Sequence, residues 1–158
     1  MTLSFPTTGL VLTCLVLVAA PVHAETSPPD APVIATDDHL YKAFGGHGGL
    51  VRITDDLFVT VMADPRINGF FEPKKIPHIK AMLIEQFCHV LGGGCTYTGK
   101  DMTAAHAQLG IQEGDFNALV EDLQKAMDKN DVPFSAQNKL LAALAPQHRV
   151  MVHAPAGE

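Results

Sequence analysis

Apolar residues recur at helical spacing along most of the chain from Leu40 onward. One predicted helix carries an apolar stripe on a single face, at Ile76, Ile79, Leu83 and Phe87. A later segment repeats the pattern with spacings of i, i+3, i+4, i+7 and i+11, at Phe116, Leu119, Val120, Leu123 and Met127. The period-2 alternation that is typical of a half-buried strand does not occur. The pattern therefore predicts an all-α domain.

Glycine and proline divide this pattern into six predicted helices. Two glycine pairs, 45–46 and 48–49, are expected to end a short first helix. The second helix is predicted from about Leu50 to Met62, because the proline at position 65 disfavours helix at the residue before it. Ser135 is the expected N-cap of the sixth helix, which is predicted to end near Pro146.

The first 24 residues differ from the rest. The run "LVLTCLVLVAAPVHA", residues 10–24, is apolar and ends in small residues, which predicts a signal peptide cleaved after Ala24 and a periplasmic or secreted protein. Residues 1–10 lack Lys and Arg, however, and a retained membrane anchor is the alternative. Residues 25–38 are rich in Pro, Ser, Thr and Asp and are predicted to be a disordered linker. The domain is expected over residues 39–153, followed by a tail at 154–158.

Charge narrows the classes of partner. The formal net charge is −6, and there is no basic stripe, which argues against nucleic-acid binding. We expect a monomer without stable membrane insertion once the signal peptide is removed.

Two cysteines remain after the predicted cleavage. Cys88 and Cys95 bracket "HVLGGG", a segment flexible enough to bring them together. In an oxidising compartment they are disulfide candidates. Two buried free thiols are the alternative.

The segment "DMTAAHAQLGI", residues 101–111, carries one histidine, His106, without neighbouring Cys, Asp or Glu residues at the spacing of a metal site. A zinc site needs three or four protein ligands close together. A haem iron needs only one ligand on this side, because the porphyrin supplies four nitrogens. His106 is therefore a candidate axial ligand of haem. A core histidine that donates to a backbone carbonyl is the alternative.

Seven motifs in order resemble those of the group 1 truncated haemoglobins, the shortened globins built as two helices over two. They are "LYKAFGG", "DP", "FF", "LGG" with "YTG", "DMTAAHAQLGI", "VP" and "LAPQH". The resemblance implies a 2-over-2 helical sandwich that encloses one haem. It makes His106 the proximal iron ligand and Phe71 an aromatic residue against the haem. Because no C-x-x-C-H motif occurs, we expect haem b without thioether attachment.

On the distal side the chain departs from the family pattern. Phe58 stands where the family usually has a tyrosine, in "DLF", and Ile79 and Leu83 stand where polar residues are frequent. These three side chains predict an apolar pocket without a hydrogen-bond donor. His47 or Lys80 is a donor that could swing in, and Lys80 belongs to a basic cluster that could approach the haem propionates.

Two further positions suggest departures from a simple gas-binding globin. Met82 stands where some members place a histidine or lysine as the sixth iron ligand, and its thioether could take that role. Ordinary packing is the alternative for a methionine. His148, in "LAPQH", stands where some relatives carry a histidine that is covalently joined to a haem vinyl group. The alternative is an exposed imidazole at a helix C-terminus.

Three functions are compatible with these features. The first is an exported electron-transfer protein with His106 and Met82 as axial ligands, and the second is a binder or sensor of O2, NO or CO. The third, a nitric-oxide dioxygenase or peroxidase-like enzyme, is disfavoured because the sequence offers no distal acid–base residue. A simple oxygen carrier is disfavoured for lack of a distal donor. The sequence names neither the physiological gas nor a redox partner.

Overall fold

The structure is a computed structural model that describes residues 32–152. Within this range the chain is helical and has no strand, which confirms the predicted fold class. The predicted signal peptide, residues 25–31 of the predicted linker and residues 153–158 lie outside the described residues. The α-helices are α1 (His39–Ala43), α2 (Gly46–Ala63), α3 (Ile76–Val90), α4 (Met102–His106), α5 (Glu113–Lys129), α6 (Phe134–Leu144) and α7 (His148–Met151). Short 3-10 turns span Asn68–Phe70, Pro73–Lys75 and Ala145–Gln147.

Four helices form the core, and α2 is its centre. α2 packs against both α3 and α5, and α5 packs against α6. The stripe of α2 that faces them is fully buried at Leu50, Ile53 and Val61. Burial of each such side chain stabilises the fold by about 1.5–3 kcal/mol. None of the helices in the described part is long and apolar enough to cross a membrane.

The two glycine pairs have different roles, which corrects the predicted start of α2. Gly45 and Gly46 have φ of 77° and 62° and make the turn after α1. Gly48 and Gly49 lie inside α2, which begins four residues earlier than expected. A side chain on Gly49 would collide with the carbonyl group of Phe44, so this glycine lets α2 pass close to the preceding turn.

The C-terminal helices also differ from expectation. Ser135 is not the N-cap of α6, because the helix begins at Phe134, directly after Pro133, whose φ is fixed at −56°. The predicted end is close, since α6 stops at Leu144. Beyond it, however, the 3-10 turn Ala145–Gln147 leads into α7, a further helical turn that the sequence pattern did not predict.

Candidate functional site

His106 is the last residue of α4, a helix of five residues. Asp101 caps this helix, because its carboxylate accepts a hydrogen bond from the Ala104 backbone N–H at 2.8 Å. The His106 ring is partly buried, and its Nδ1 lies 2.8 Å from the carbonyl oxygen of Met102. A carbonyl oxygen only accepts, so Nδ1 carries the proton and Nε2 keeps its lone pair. This tautomer is the one that a metal-binding histidine adopts.

The chemistry of the donor set agrees with haem and disagrees with a bare metal ion. Within residues 32–152 no group of three or more His, Cys, Asp or Glu side chains could hold a metal ion. A metal at His106 Nε2 therefore needs its other ligands from a non-protein group. A porphyrin supplies four nitrogens in one plane, and the protein then has to provide a single imidazole on the proximal side.

One face of α3 is directed toward the segment that carries His106. Gln86 is buried, and its Nε2 donates to the sulfur of Met102 at 3.7 Å. Residues 79, 82 and 83 lie seven, four and three positions before Gln86, so they share its helix face. Ile79, Met82 and Leu83 are each partly buried. The three candidates on α3 thus lie on the side of the helix that faces α4.

Phe58, on α2, and Phe71 meet in a second part of the site. Their ring centroids are 5.5 Å apart and the rings are nearly perpendicular, an edge-to-face contact. Phe58 is only 4% exposed. Neither ring carries a hydrogen-bond donor, so this pair adds apolar surface only.

The Lys80 ammonium group lies over the Phe58 ring and is held there by an ion pair. It is 5.7 Å from the centroid of the Phe58 ring and 2.8 Å from a carboxylate oxygen of Asp55 on α2. The ion pair competes with the inward movement that the sequence suggested for Lys80. His47, the other suggested donor, is exposed in the first turn of α2.

His148 is partly buried and is the first residue of α7, which packs against α4. Its ring makes an edge-to-face contact with Phe116 at a centroid distance of 4.9 Å. The alternative interpretation, an exposed imidazole at a helix C-terminus, is wrong about the exposure, because the ring is partly buried against Phe116, although His148 does lie in the last turn of the four-residue helix α7. Next to it, the side-chain nitrogen of Gln147 is buried without a hydrogen-bond partner in the described structure.

A disulfide joins Cys88, near the end of α3, to Cys95 in the connection to α4. Their Cα atoms are 5.7 Å apart. Cys88 is fully buried and Cys95 is partly buried. The alternative of two free thiols is therefore not what the structure contains.

Sequence reasoning missed three side chains of this region: Asp55, Glu85 and Gln86. Asp55 fixes Lys80, and the carboxylate of Glu85 accepts two hydrogen bonds from Thr98, which lower the pKa of Glu85 below its ordinary value. The sequence could have identified Gln86, because it is the polar residue that continues the helical spacing of Ile79 and Leu83. The other two pairings join segments that are distant in sequence.

Comparisons with known proteins agree with this architecture. The family model for bacterial-like globins matches residues 39–153. A group 1 truncated haemoglobin of Mycolicibacterium paratuberculosis is 32% identical over 107 residues, which cover 68% of this chain and 79% of that protein. A group 1 truncated haemoglobin of Tetrahymena pyriformis is 27% identical over 100 residues, covering 63% and 83%.

Solved structures show the same fold. The crystal structure of the Tetrahymena pyriformis truncated haemoglobin in its Fe(III) form has a TM-score of 0.69 at 24% identity, covering 73% of this chain and 98% of that one. A 2/2 haemoglobin of a Synechococcus species, solved in the cyanomet state with covalently attached haem, has a TM-score of 0.66 at 21% identity, covering 72% and 97%.

Proposed function

Because the chain belongs to the group 1 truncated haemoglobins, as its sequence motifs predicted, we propose that it is an exported haem protein that binds diatomic gases. The observation that carries the proposal is the His106 ring, partly buried, with Nδ1 donating to Met102 and Nε2 left free. The bound haem would supply an iron that holds a small gas and changes between the ferrous and ferric states. The chain's own residues supply one axial imidazole and the walls of the pocket.

The pocket walls favour gases that need no hydrogen bond. Phe58 and Phe71 line one part, and Ile79 and Leu83 lie on the face of α3 directed toward α4. Dioxygen draws negative charge from iron and gains about 1.5–3 kcal/mol from a donor beside it. Carbon monoxide and nitric oxide depend less on such a donor. We therefore propose CO or NO as the preferred ligand, with weaker retention of O2.

The first experiment tests His106. The purified chain is titrated with haem, and the visible spectrum is recorded in the ferric and ferrous states. His106→Ala should lose the spectrum of the axially ligated haem, and added imidazole should restore it by occupying the vacated position. His78→Ala, which removes an exposed imidazole from α3, is the matched control and should behave as wild type. A His106→Ala variant with an unchanged spectrum would refute the proposal.

Electron transfer is the second candidate, with Met82 as sixth ligand. This candidate is supported by the position of Met82, which lies on the same face of α3 as Gln86, the residue that donates a hydrogen bond to the Met102 sulfur. His/Met ligation raises the reduction potential of haem iron, as in cytochromes c. In that case the ferrous protein without added gas should show sharp split bands, and both Met82→Ala and Met82→Leu should convert them to one broad band. If Met82→Leu keeps the split bands while Met82→Ala loses them, Met82 acts through packing.

A covalent link from His148 to a haem vinyl group is a separate part of the proposal. The ring is held at a fixed place against Phe116 rather than free in solvent. Extraction into acidified organic solvent should leave haem with the wild-type chain and release it from His148→Ala. His78→Ala, which removes an exposed imidazole from α3 and leaves both His148 and Phe116 in place, is the control and should retain the haem. Complete extraction from the wild type would exclude the link.

Export rests on the sequence of residues 1–24, which lie outside the described part of the structure. The mature protein should begin at Glu25, and intact mass after periplasmic extraction measures this. A full-length chain in the membrane fraction would favour the retained anchor instead.

A further inference from the structure

The connection between α3 and α4, residues 91–101, is fastened back onto α3 at three places. Cys95 is joined to Cys88 by the disulfide. Nδ1 of His89 lies 3.1 Å from the Cys95 carbonyl oxygen, to which it donates. The backbone N–H and the hydroxyl of Thr98 both donate to Glu85, at 3.0 and 2.7 Å. We call these five residues the α3 clasp.

The clasp acts on a segment that would otherwise be mobile. Residues 92–94 are three consecutive glycines, and Gly92 and Gly94 have φ of 79° and 75°. Such a segment has many conformations in an open chain. The disulfide closes a short loop around it, which removes most of that freedom. At Gly93 a Cβ would lie only 2.7 Å from Cys88 Sγ and from the Tyr41 ring, so the closed loop is also tightly packed.

α4 has little else to hold it in place. It has five residues, none of them buried. A helix of this length is not stable by itself in water. Its N-terminus follows directly from the clasped connection, and it is also attached through the Gln86–Met102 hydrogen bond and through packing against α7. The position of His106, at the end of α4, therefore depends on where the connection is held.

We propose that the α3 clasp, and above all its Cys88–Cys95 disulfide, positions His106 as the axial ligand, so that thiol redox state controls how firmly haem is kept. The proposal rests on the proposed haem-binding function. A dithiol reductant opens the clasp: it gives two electrons and two protons to the S–S bond, which becomes two thiols, and is itself oxidised to a disulfide. Cys95 is partly buried whereas Cys88 is fully buried, so Cys95 is the more accessible residue of the pair for this attack.

The first test needs no haem. Hydrogen–deuterium exchange is measured on the apo chain before and after reduction with a dithiol. Reduction should raise exchange in peptides from residues 91–106 and leave those from α2 and α5 unchanged. The Cys88→Ser/Cys95→Ser double variant should resemble the reduced wild type and should not respond to the reductant. Equal gains of exchange throughout the chain would mean that the disulfide stabilises the whole domain. No gain in any peptide would mean that the disulfide does not order residues 91–106. Either result overturns the proposal.

The second test uses the haem-loaded protein. In a His148→Ala background, where no covalent link can retain the haem, transfer of haem to excess apomyoglobin should become at least about tenfold faster on reduction, which corresponds to ~1.4 kcal/mol. The iron–histidine stretching band, recorded just after photolysis of the CO complex, should shift or broaden, which a general loss of stability would not cause. Glu85→Gln should have a smaller effect in the same direction. Glu121→Gln, which alters a glutamate on α5 that pairs with Arg66, is the matched control.

The two tests separate this proposal from the function on which it rests. If the chain takes up no haem, the proposed function fails, and the exchange experiment still decides whether the clasp orders residues 91–106. If haem binds through His106 but neither the rate of haem loss nor the iron–histidine stretching band changes on reduction, the clasp does not position His106. The proposed function then stands.

Discussion

At the scale of a single residue, Phe58 is the buried apolar side chain that we propose lines the haem pocket. Its ring is almost fully buried, and its edge-to-face contact with Phe71 fixes its orientation. The ammonium group of Lys80 lies 5.7 Å from the ring centroid, where its positive charge interacts favourably with the aromatic face. Since Asp55 also holds Lys80, the cation is engaged by two partners, and the buried ring itself offers no hydrogen-bond donor.

Phe58→Tyr should convert this pocket into one that retains oxygen. The added hydroxyl supplies the missing donor, and a gain of about 1.5–3 kcal/mol slows oxygen release by roughly 10- to 150-fold. Oxygen release is measured by stopped-flow mixing of the oxygenated protein with carbon monoxide. Phe58→Leu, which adds no donor, should release oxygen about as fast as wild type. If Phe58→Tyr is equally fast, the ring does not face the bound gas.

The sequence allowed candidate residues to be identified where one side chain carries the chemistry. It did not allow contacts between side chains of different helices to be predicted. His106 could be singled out because a lone imidazole among small residues matches the needs of haem. Its carbonyl partner lies four residues earlier, which is a spacing that helix geometry itself brings together. Lys80 and Asp55 are 25 residues apart, so their contact depends on how α2 docks on α3. The assignments of His106, Met82 and His148 to the haem all remain predictions.

At the scale of the helix, the packing of α2 explains why the sequence pattern predicted its first residue four positions too late. Glycine is a poor helix former, so two consecutive glycines predict a break. In the structure Gly49 is buried directly against the Phe44 carbonyl, and this close approach requires a residue without Cβ. Tertiary packing therefore outweighs propensity there. α7 was not predicted for a related reason: the proline at position 146 indicates the end of α6 but carries no information about the helical turn that follows it.

The two glycines of α2 should respond oppositely to alanine. Gly49→Ala should lower the free energy of unfolding by about 1–3 kcal/mol, because the new methyl group overlaps Phe44. Gly48→Ala should raise it by about 0.5–1 kcal/mol, because Gly48 is exposed and a Cβ there meets only Arg52 at 3.7 Å. Urea unfolding followed by circular dichroism measures both. Equal effects of the same sign would contradict this packing of α2 on the preceding turn.

At the scale of the whole molecule, carboxylates join distant parts of the chain and make its stability depend on pH. Asp56 on α2 accepts hydrogen bonds from Lys129 at 2.6 Å and from Asn130 at 2.8 Å, which ties α2 to the end of α5. These bonds, that of Lys129 first, lower the pKa of Asp56 below its ordinary value of 3.8. The pKa of Asp64 is likewise lowered, chiefly by the hydrogen bond from Arg66.

A lowered pKa in the folded state fixes the sign of the pH effect. The contribution of Asp56 is fully present above pH 3.8, the ordinary value, and is lost as the pH falls from there through the lowered value. The urea midpoint of the wild-type apo chain should therefore fall between neutral pH and about pH 3. Asp56→Asn should be less stable than wild type at neutral pH and should lose less on acidification, since it has no proton to take up.

Glu113→Gln, at an exposed position in the first turn of α5, is the control for removing one negative charge and should keep the wild-type fall. The apo chain is used because release of haem in acid would otherwise be measured together with unfolding. An Asp56→Asn variant that matches the wild type at neutral pH would mean that the link from α2 to α5 contributes nothing to stability. If the urea midpoint of Asp56→Asn falls as steeply with pH as that of the wild type, the acid sensitivity comes from the remaining carboxylates, Asp64 among them.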